Sequence, residues 1–287
     1  MHAAAYVALL EATAGRAVML DPDTFTSPDS ERVARLAAGA AVQAAEHAVG
    51  SGEPAFALVR PPGHHAERDG AMGFCLYNSA AIAAAAARAG GLDRVAIVDI
   101  DVHHGNGTQH SFYEDSQVLY LSTHQFPFYP GTGAAAEIGN GAGAGFTVNV
   151  PLEAGATDGD YARVHDAIVL PVLDQFRPQL TIVSAGYDAH ERDPLASMRM
   201  TEHGYGLIVG GLAQVAQRHG AFMCVTEGGY ELPALAACLE ASLKAIEDGA
   251  RAGAEHAAHA ADLASTGRSE RAIAAVRTAQ KSFWRGL

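Results

Sequence analysis

A chain of 287 residues that is 49% apolar and 18% charged has globular composition and the length to bury a core, which excludes a disordered or fibrous protein. Its formal net charge of −13 argues against a surface built to neutralise phosphates, so no nucleic-acid partner is expected; an acidic surface would steer cationic substrates toward it, although most acidic proteins are acidic simply for solubility. Cys75, Cys224 and Cys238 form no Cys-x-x-Cys pair, which argues against a disulfide framework and against a thiolate metal site.

Residues 1–20, interrupted by Glu11 and Arg16, lack a basic region followed by an apolar run and do not read as a signal peptide. The alanine-rich run 80–87 ends at Arg88, far below the ~18 apolar residues of a membrane span, so a cytoplasmic protein with no membrane partner is expected. Apolar, β-branched runs at 55–59, 95–98, 118–121, 181–183 and 222–225 read as strands buried on both faces. Between them, the alanine-rich stretches 79–89, 158–176 and 201–219 read as helices. This alternation predicts an α/β fold, a largely parallel sheet sandwiched between helices. Gly131-Thr132-Gly133-Ala134-Ala135-Ala136 loosely matches a dinucleotide fingerprint. It follows Phe128-Tyr129-Pro130 and precedes a strand expected at 146–150, so 131–145 is predicted to be a surface loop. From residue 247 the composition shifts to Ala, Glu, Arg and His, and Ile273, Val276, Phe283 and Trp284 mark a C-terminal helix docking on the body.

Ligands of open parallel sheets bind beyond the carboxyl ends of the strands, and here five strand exits carry polar strings. They read Arg60-Pro61-Pro62-Gly63-His64-His65, Asp99-Ile100-Asp101-Val102-His103-His104-Gly105-Asn106-Gly107, Ser122-Thr123-His124, Ser184-Ala185-Gly186-Tyr187-Asp188 and Glu227-Gly228-Gly229-Tyr230. Alternate residues of an extended chain share a face, so Asp99, Asp101 and His103 are expected to project together. With Asp188 from another strand, an Asp-x-His pair supplies three ligands and leaves positions open, as catalytic zinc requires. Taken alone, an Asp-x-His pair is more often a capping carboxylate with an incidental histidine. Likewise, adjacent histidines after a rigid Pro-Pro-Gly turn suit either a solvated loop or a pair of fixed imidazoles, and Gly-Gly-Tyr suits either an ordinary turn or a presented phenol.

The five strings together, in this order, resemble the histone deacetylase superfamily, which includes bacterial histone-deacetylase-like amidohydrolases and acetylpolyamine amidohydrolases; the class II branch is the closer match, over residues 2–243. The resemblance implies an arginase-deacetylase-like fold, with a catalytic domain at 1–246; the composition shift after it makes 247–287 a helical extension expected to pack on that domain or on a partner subunit. It makes Asp101, His103 and Asp188 the ligands of one zinc per chain. His64 and His65 become the paired histidines, Tyr230 the transition-state tyrosine, and Asp99 the partner of His64. Asn106 stands where class I members have an aspartate, a neutral partner that fits His65 acting as the base from its neutral form. Phe74 and Tyr129 would wall the acyl channel, and Gly73 and Leu195 would line or rim it. Asp99, Asp101, His103, Ser122 and Thr123 would enclose a potassium ion, mainly through backbone oxygens.

The implied activity is zinc-dependent hydrolysis of an acylated amine such as acetyllysine. An acetylpolyamine is the alternative substrate, which the acidic charge also suits. A non-catalytic acyl-binding protein is the alternative of another class, and the intact ligand set and Tyr230 speak against it. A binuclear manganese ureohydrolase of the same architecture would need further carboxylate strings that the sequence lacks. The family normally carries a segment ahead of the position of His2. A sheet edge left open there would favour a homo-oligomer or a cap by the C-terminal helix, and a wider active-site mouth.

Overall fold

A run such as Val95-Ala96-Ile97-Val98 has no polar face to offer water, so it is stable as a strand only with cover on both sides. Parallel pairing linked by crossover helices supplies that cover. In the computed structural model, which describes residues 1–249 and 266–287, β1 (Met19–Asp21) and β2 (Thr24–Phe25) form a separate antiparallel hairpin. The main sheet comprises β3 (Ala55–Ala57), β4 (Val95–Asp99), β5 (Val118–Gln125), β6 (Thr147–Leu152), β7 (Leu180–Ala185) and β8 (Ala221–Thr226). Its six strands are all parallel, in the order β3-β8-β7-β4-β5-β6.

The helices are α1 (Ala4–Glu11), α2 (Ser30–Ser51), α3 (Ser79–Ala89), α4 (Asn106–Phe112), α5 (Asp158–Val164), α6 (Leu170–Phe176), α7 (Glu202–Gln217), α8 (Leu232–Asp248) and a last helix at Gly267–Gln280. Strand alternation divides the core. Val95 and Ile97 point to one face, where Ala41, Ala45 and Ala48 of α2 and Ala80, Ala81, Ala83 and Ala84 of α3 cover them. Ala96 and Val98 point to the other, among Val164, Val172, Leu212 and Ile273. No helix among the described residues is long and apolar enough to cross a membrane.

Three local departures from the sequence reading have physical causes. The first strand of the sheet is shorter than 55–59, because Thr226 takes over the pairing beyond Ala57: its Oγ1 accepts from Val59 N at 2.8 Å and contacts Val59 O at 2.6 Å. The stretch 158–176 is continuous but passes through a π-turn at His165–Val169, just before Pro171, which has no N–H to give to a regular α-helical bond. Phe283 and Trp284 lie beyond the last helix, not on it; the Trp284 indole N–H donates to Gly145 O at 2.9 Å and its ring packs edge-on against Phe146. The segment 131–145 contains only a short 3₁₀ turn, Gly141–Gly143, and opens no helix.

The last helix packs on β6 and α5 with Ile273 and Val276 buried, and Thr266 caps it while also donating to Asp160 Oδ1 at 3.0 Å. It therefore sits at the β6 edge of the sheet, opposite β3.

Candidate active site

The five polar strings stand at the carboxyl ends of five adjacent strands, β3, β8, β7, β4 and β5, side by side at one end of the sheet, although β5 runs on past residue 121 and holds Ser122-Thr123-His124 within it. Register brings them level: Asp99 of β4 lies opposite Ser122 of β5 and Ser184 of β7. Just past these positions, Asp101, His103 and Asp188 offer ligand atoms that all lie within 4.8 Å of one another. His103 Nδ1 is 3.1 Å from Asp101 Oδ1 and 3.1 Å from Asp188 Oδ2. The carboxylates are oriented by backbone donors, Gly228 N to Asp101 at 2.8 Å and Val102 N to Asp188 at 2.9 Å. Gly186 and Gly228 leave room for them, since a Cβ at either position would overlap a carboxylate oxygen.

Two buried carboxylates side by side are costly unless a cation compensates them. The strain shows in Asp188, which burial and then the neighbouring Asp101 push up to about 6. A donor set of one imidazole and two carboxylates suits a catalytic zinc, which takes three protein ligands. Among the described residues it is the one such group found.

Asp99 does not join it. The chain leaves the extended conformation after Asp99, so strict alternation fails, and the Asp99 carboxylate instead meets His64 Nδ1 at 3.0 Å and accepts from the Tyr120 hydroxyl at 3.1 Å. His65 Nδ1 lies 2.8 Å from Asn106 Oδ1, and the two imidazoles stand 4.0 Å apart. Burial works against a charge on His64, but Asp101 and Asp99 outweigh it and hold the imidazole well above its usual range. Burial and the adjacent His64 hold His65 well below. The surroundings thus favour charge on His64 and disfavour it on His65.

Glu227, present in the fifth string without an assigned role, fixes this turn. Its carboxylate accepts from Gly63 N at 2.6 Å, His64 N at 3.1 Å and the Ser184 hydroxyl at 3.0 Å, and burial pushes it up to about 7.

Aromatic rings rise above the cluster. Tyr129 stands edge-on to His65 at 5.1 Å and to His103 at 6.0 Å, and Phe74 meets Tyr230 edge-on at 5.8 Å. Phe128, not singled out from sequence, stacks on His103 at 5.4 Å. Gly73 lies against the His65 ring so closely that a Cβ would overlap it, and both Gly73 and Phe74 have positive φ. The hairpin holds that conformation, with Gly73 N donating to Asp23 at 3.1 Å and Phe74 N to Thr24 at 3.0 Å. Leu195 is 38% exposed and Tyr230 37%, and one carboxylate ties them together: Asp193 accepts from Leu195 N at 3.0 Å and Tyr230 N at 2.7 Å. Burial, then Asp188 and Asp101, keeps the Tyr230 phenol far above its usual range and so protonated. The Ser122 hydroxyl bonds His124 Nδ1 at 2.9 Å, while the Thr123 hydroxyl is buried without a hydrogen-bond partner.

Comparison with known proteins places the chain in a family. The histone deacetylase domain matches residues 1–246, and the chain belongs to the histone deacetylase family. A probable deacetylase of Archaeoglobus fulgidus is 43% identical over 235 residues, covering 81% of this chain and 66% of that protein. Histone deacetylase 15 of Arabidopsis thaliana is 45% identical over 229 residues, 78% of this chain and 41% of that one. A histone deacetylase-like amidohydrolase of Pseudomonas aeruginosa is 44% identical over 218 residues, 74% of this chain and 57% of that one. The chain thus spans 41% to 66% of the length of these curated relatives. The crystal structure of the HDA15 HD domain matches with a TM-score of 0.91 at 38% identity, over 99% of this chain and 77% of that one.

Proposed function

We propose that this chain is a zinc-dependent amidohydrolase that removes an acyl group, acetyl in the first instance, from an acylated amine such as acetyllysine. The observation that carries the reading is the Asp101, His103 and Asp188 cluster lying beside a buried histidine pair with two different partners, the Asp99 carboxylate for His64 and the Asn106 amide for His65. Those three residues would hold the zinc, which supplies Lewis acidity toward the acyl carbonyl and toward water.

The chain's own groups do the rest. Neutral His65 takes the proton of the attacking water and delivers it to the leaving nitrogen. Tyr230, protonated at the site, donates a hydrogen bond to the developing oxyanion. His64, clamped by Asp99, keeps positive charge beside the reacting carbon. Gly73, Phe74, Tyr129 and Leu195 would line the passage for the acylated side chain and keep bulk water from the reacting amide. The same proposal has Asp99, Asp101, His103, Ser122 and Thr123 holding a potassium ion, mainly through backbone oxygens; the unpartnered buried Thr123 hydroxyl is the observation that suits it.

The test is acetate release by zinc-loaded protein from an acetyllysine peptide and from acetylputrescine, with His65→Ala as control. Release that depends on His65 supports hydrolysis, and the ratio of the two rates assigns the substrate class. No release from either, by folded and zinc-loaded protein, overturns the proposal in favour of an acyl-binding role.

A further inference from the structure

The side-chain amide of Asn106 has an accepting end and a donating end, so its orientation decides which nitrogen of His65 can hold a proton. Asn106 opens α4 and is buried; its Oδ1 faces His65 Nδ1 at 2.8 Å, and its Nδ2 donates to Glu67 Oε1. A carboxylate can only accept, so the end turned to Glu67 must be the NH₂. The oxygen must then face His65, which makes His65 Nδ1 the donor and leaves the lone pair on Nε2. In the flipped amide two oxygens would oppose each other at Glu67 and two donors would compete at His65.

Glu67 is itself held in place. The oxygen that accepts from Asn106 also lies 2.8 Å from His110 Nδ1, and the Glu67 backbone is tied at both ends, its carbonyl to His2 Nδ1 at 2.8 Å and its N–H to Gly70 O at 2.9 Å. Burial opposes its charge, but the bonds from His110 and Asn106 outweigh this and hold the carboxyl below its ordinary range. The other acceptors near Asn106 Nδ2, His65 O and Met72 Sδ, stand at 3.3 Å each and are weaker. A run from His65 through Asn106 and Glu67 to His110 therefore leads from the buried pair to a half-exposed histidine.

We propose that Glu67 is a positioning residue: through the Asn106 amide it holds His65 in the Nδ1-protonated tautomer, with Nε2 free to accept a proton. This rests on the reading of His65 as the general base. Removing the carboxylate leaves the amide free to flip, and each flip disables the base without touching the substrate.

Three variants and two readouts test it. Glu67→Met should lower kcat by about 10- to 100-fold with KM and zinc content unchanged, the usual cost of losing the partner of a catalytic group. Glu67→Gln, which can still accept but carries no charge, should lose less. Asn106→Asp on the Glu67→Met background should recover most of the loss, because a carboxylate accepts with either oxygen and needs no orienting. The second readout is nitrogen-15 NMR of labelled histidine, with the His65 signals assigned by their absence in His65→Ala. The parent should show the Nδ1-protonated form and Glu67→Met a mixture of tautomers. Parental kcat in Glu67→Met overturns the proposal, and so does a loss that Asn106→Asp fails to recover while the His65 tautomer is unchanged. If His65→Ala retains parental turnover, the general-base reading fails by itself, and the tautomer measurement still decides what Glu67 does.

Discussion

Tyr230→Phe isolates one hydroxyl. The ring is fixed by its edge-on contact with Phe74 at 5.8 Å and the backbone by the Asp193 carboxylate at 2.7 Å, and both survive the substitution. The phenol oxygen makes no hydrogen bond to the protein among the described residues, so no partner is left unsatisfied, and folding stability and zinc content should stay at parental levels. What is lost is a donor to charge that exists only in the transition state. Loss of one such donor costs about 10²- to 10³-fold in turnover, or roughly 2.7–4 kcal/mol in the barrier, with KM little changed. Steady-state kinetics on an acetyllysine peptide, with thermal melting and elemental analysis of the same preparations, measure all three quantities. Near-parental kcat, or a loss confined to KM, would refute the role of Tyr230.

Gly186→Ala places a Cβ against the Asp101 carboxylate, so zinc affinity measured by chelator competition should fall at least about tenfold with the fold retained; parental affinity would show that the carboxylate has room to move. The ligands must be deprotonated to bind metal, and Asp188 is pushed up to about 6, so a proton competes there at higher pH than for an ordinary carboxylate. Zinc retention against a fixed chelator should accordingly hold at about pH 7.5 and fail at about pH 5, and a retention curve flat across that window contradicts the assignment.

The sheet was legible because doubly covered strands leave an unmistakable apolar run, and the cluster was legible because its ligands stand a few residues past those runs. Residues that act across long sequence separations left no such sign. Asp23 and Thr24 support Gly73 and Phe74 from a hairpin fifty positions away, Asp193 ties Leu195 to Tyr230, and Glu67 reaches Asn106 across 39 positions. None shows periodicity or a motif of its own. For Asp99 the resemblance pairs it with His64, as the structure does, while alternation alone groups it with the ligands, because alternation applies only while the chain stays extended and it turns after β4. The π-turn before Pro171 was the reverse case, since the proline was visible but the way a helix absorbs it depends on packing.

Every step of the proposed hydrolysis depends on the metal, and elemental analysis of the purified chain and of Asp101→Ala, each checked for native folding, tests it most directly. The parental chain should hold one zinc and the variant essentially none, with hydroxamate binding lost in parallel. A variant that keeps its full zinc, or a parent that holds two manganese ions instead, would contradict this.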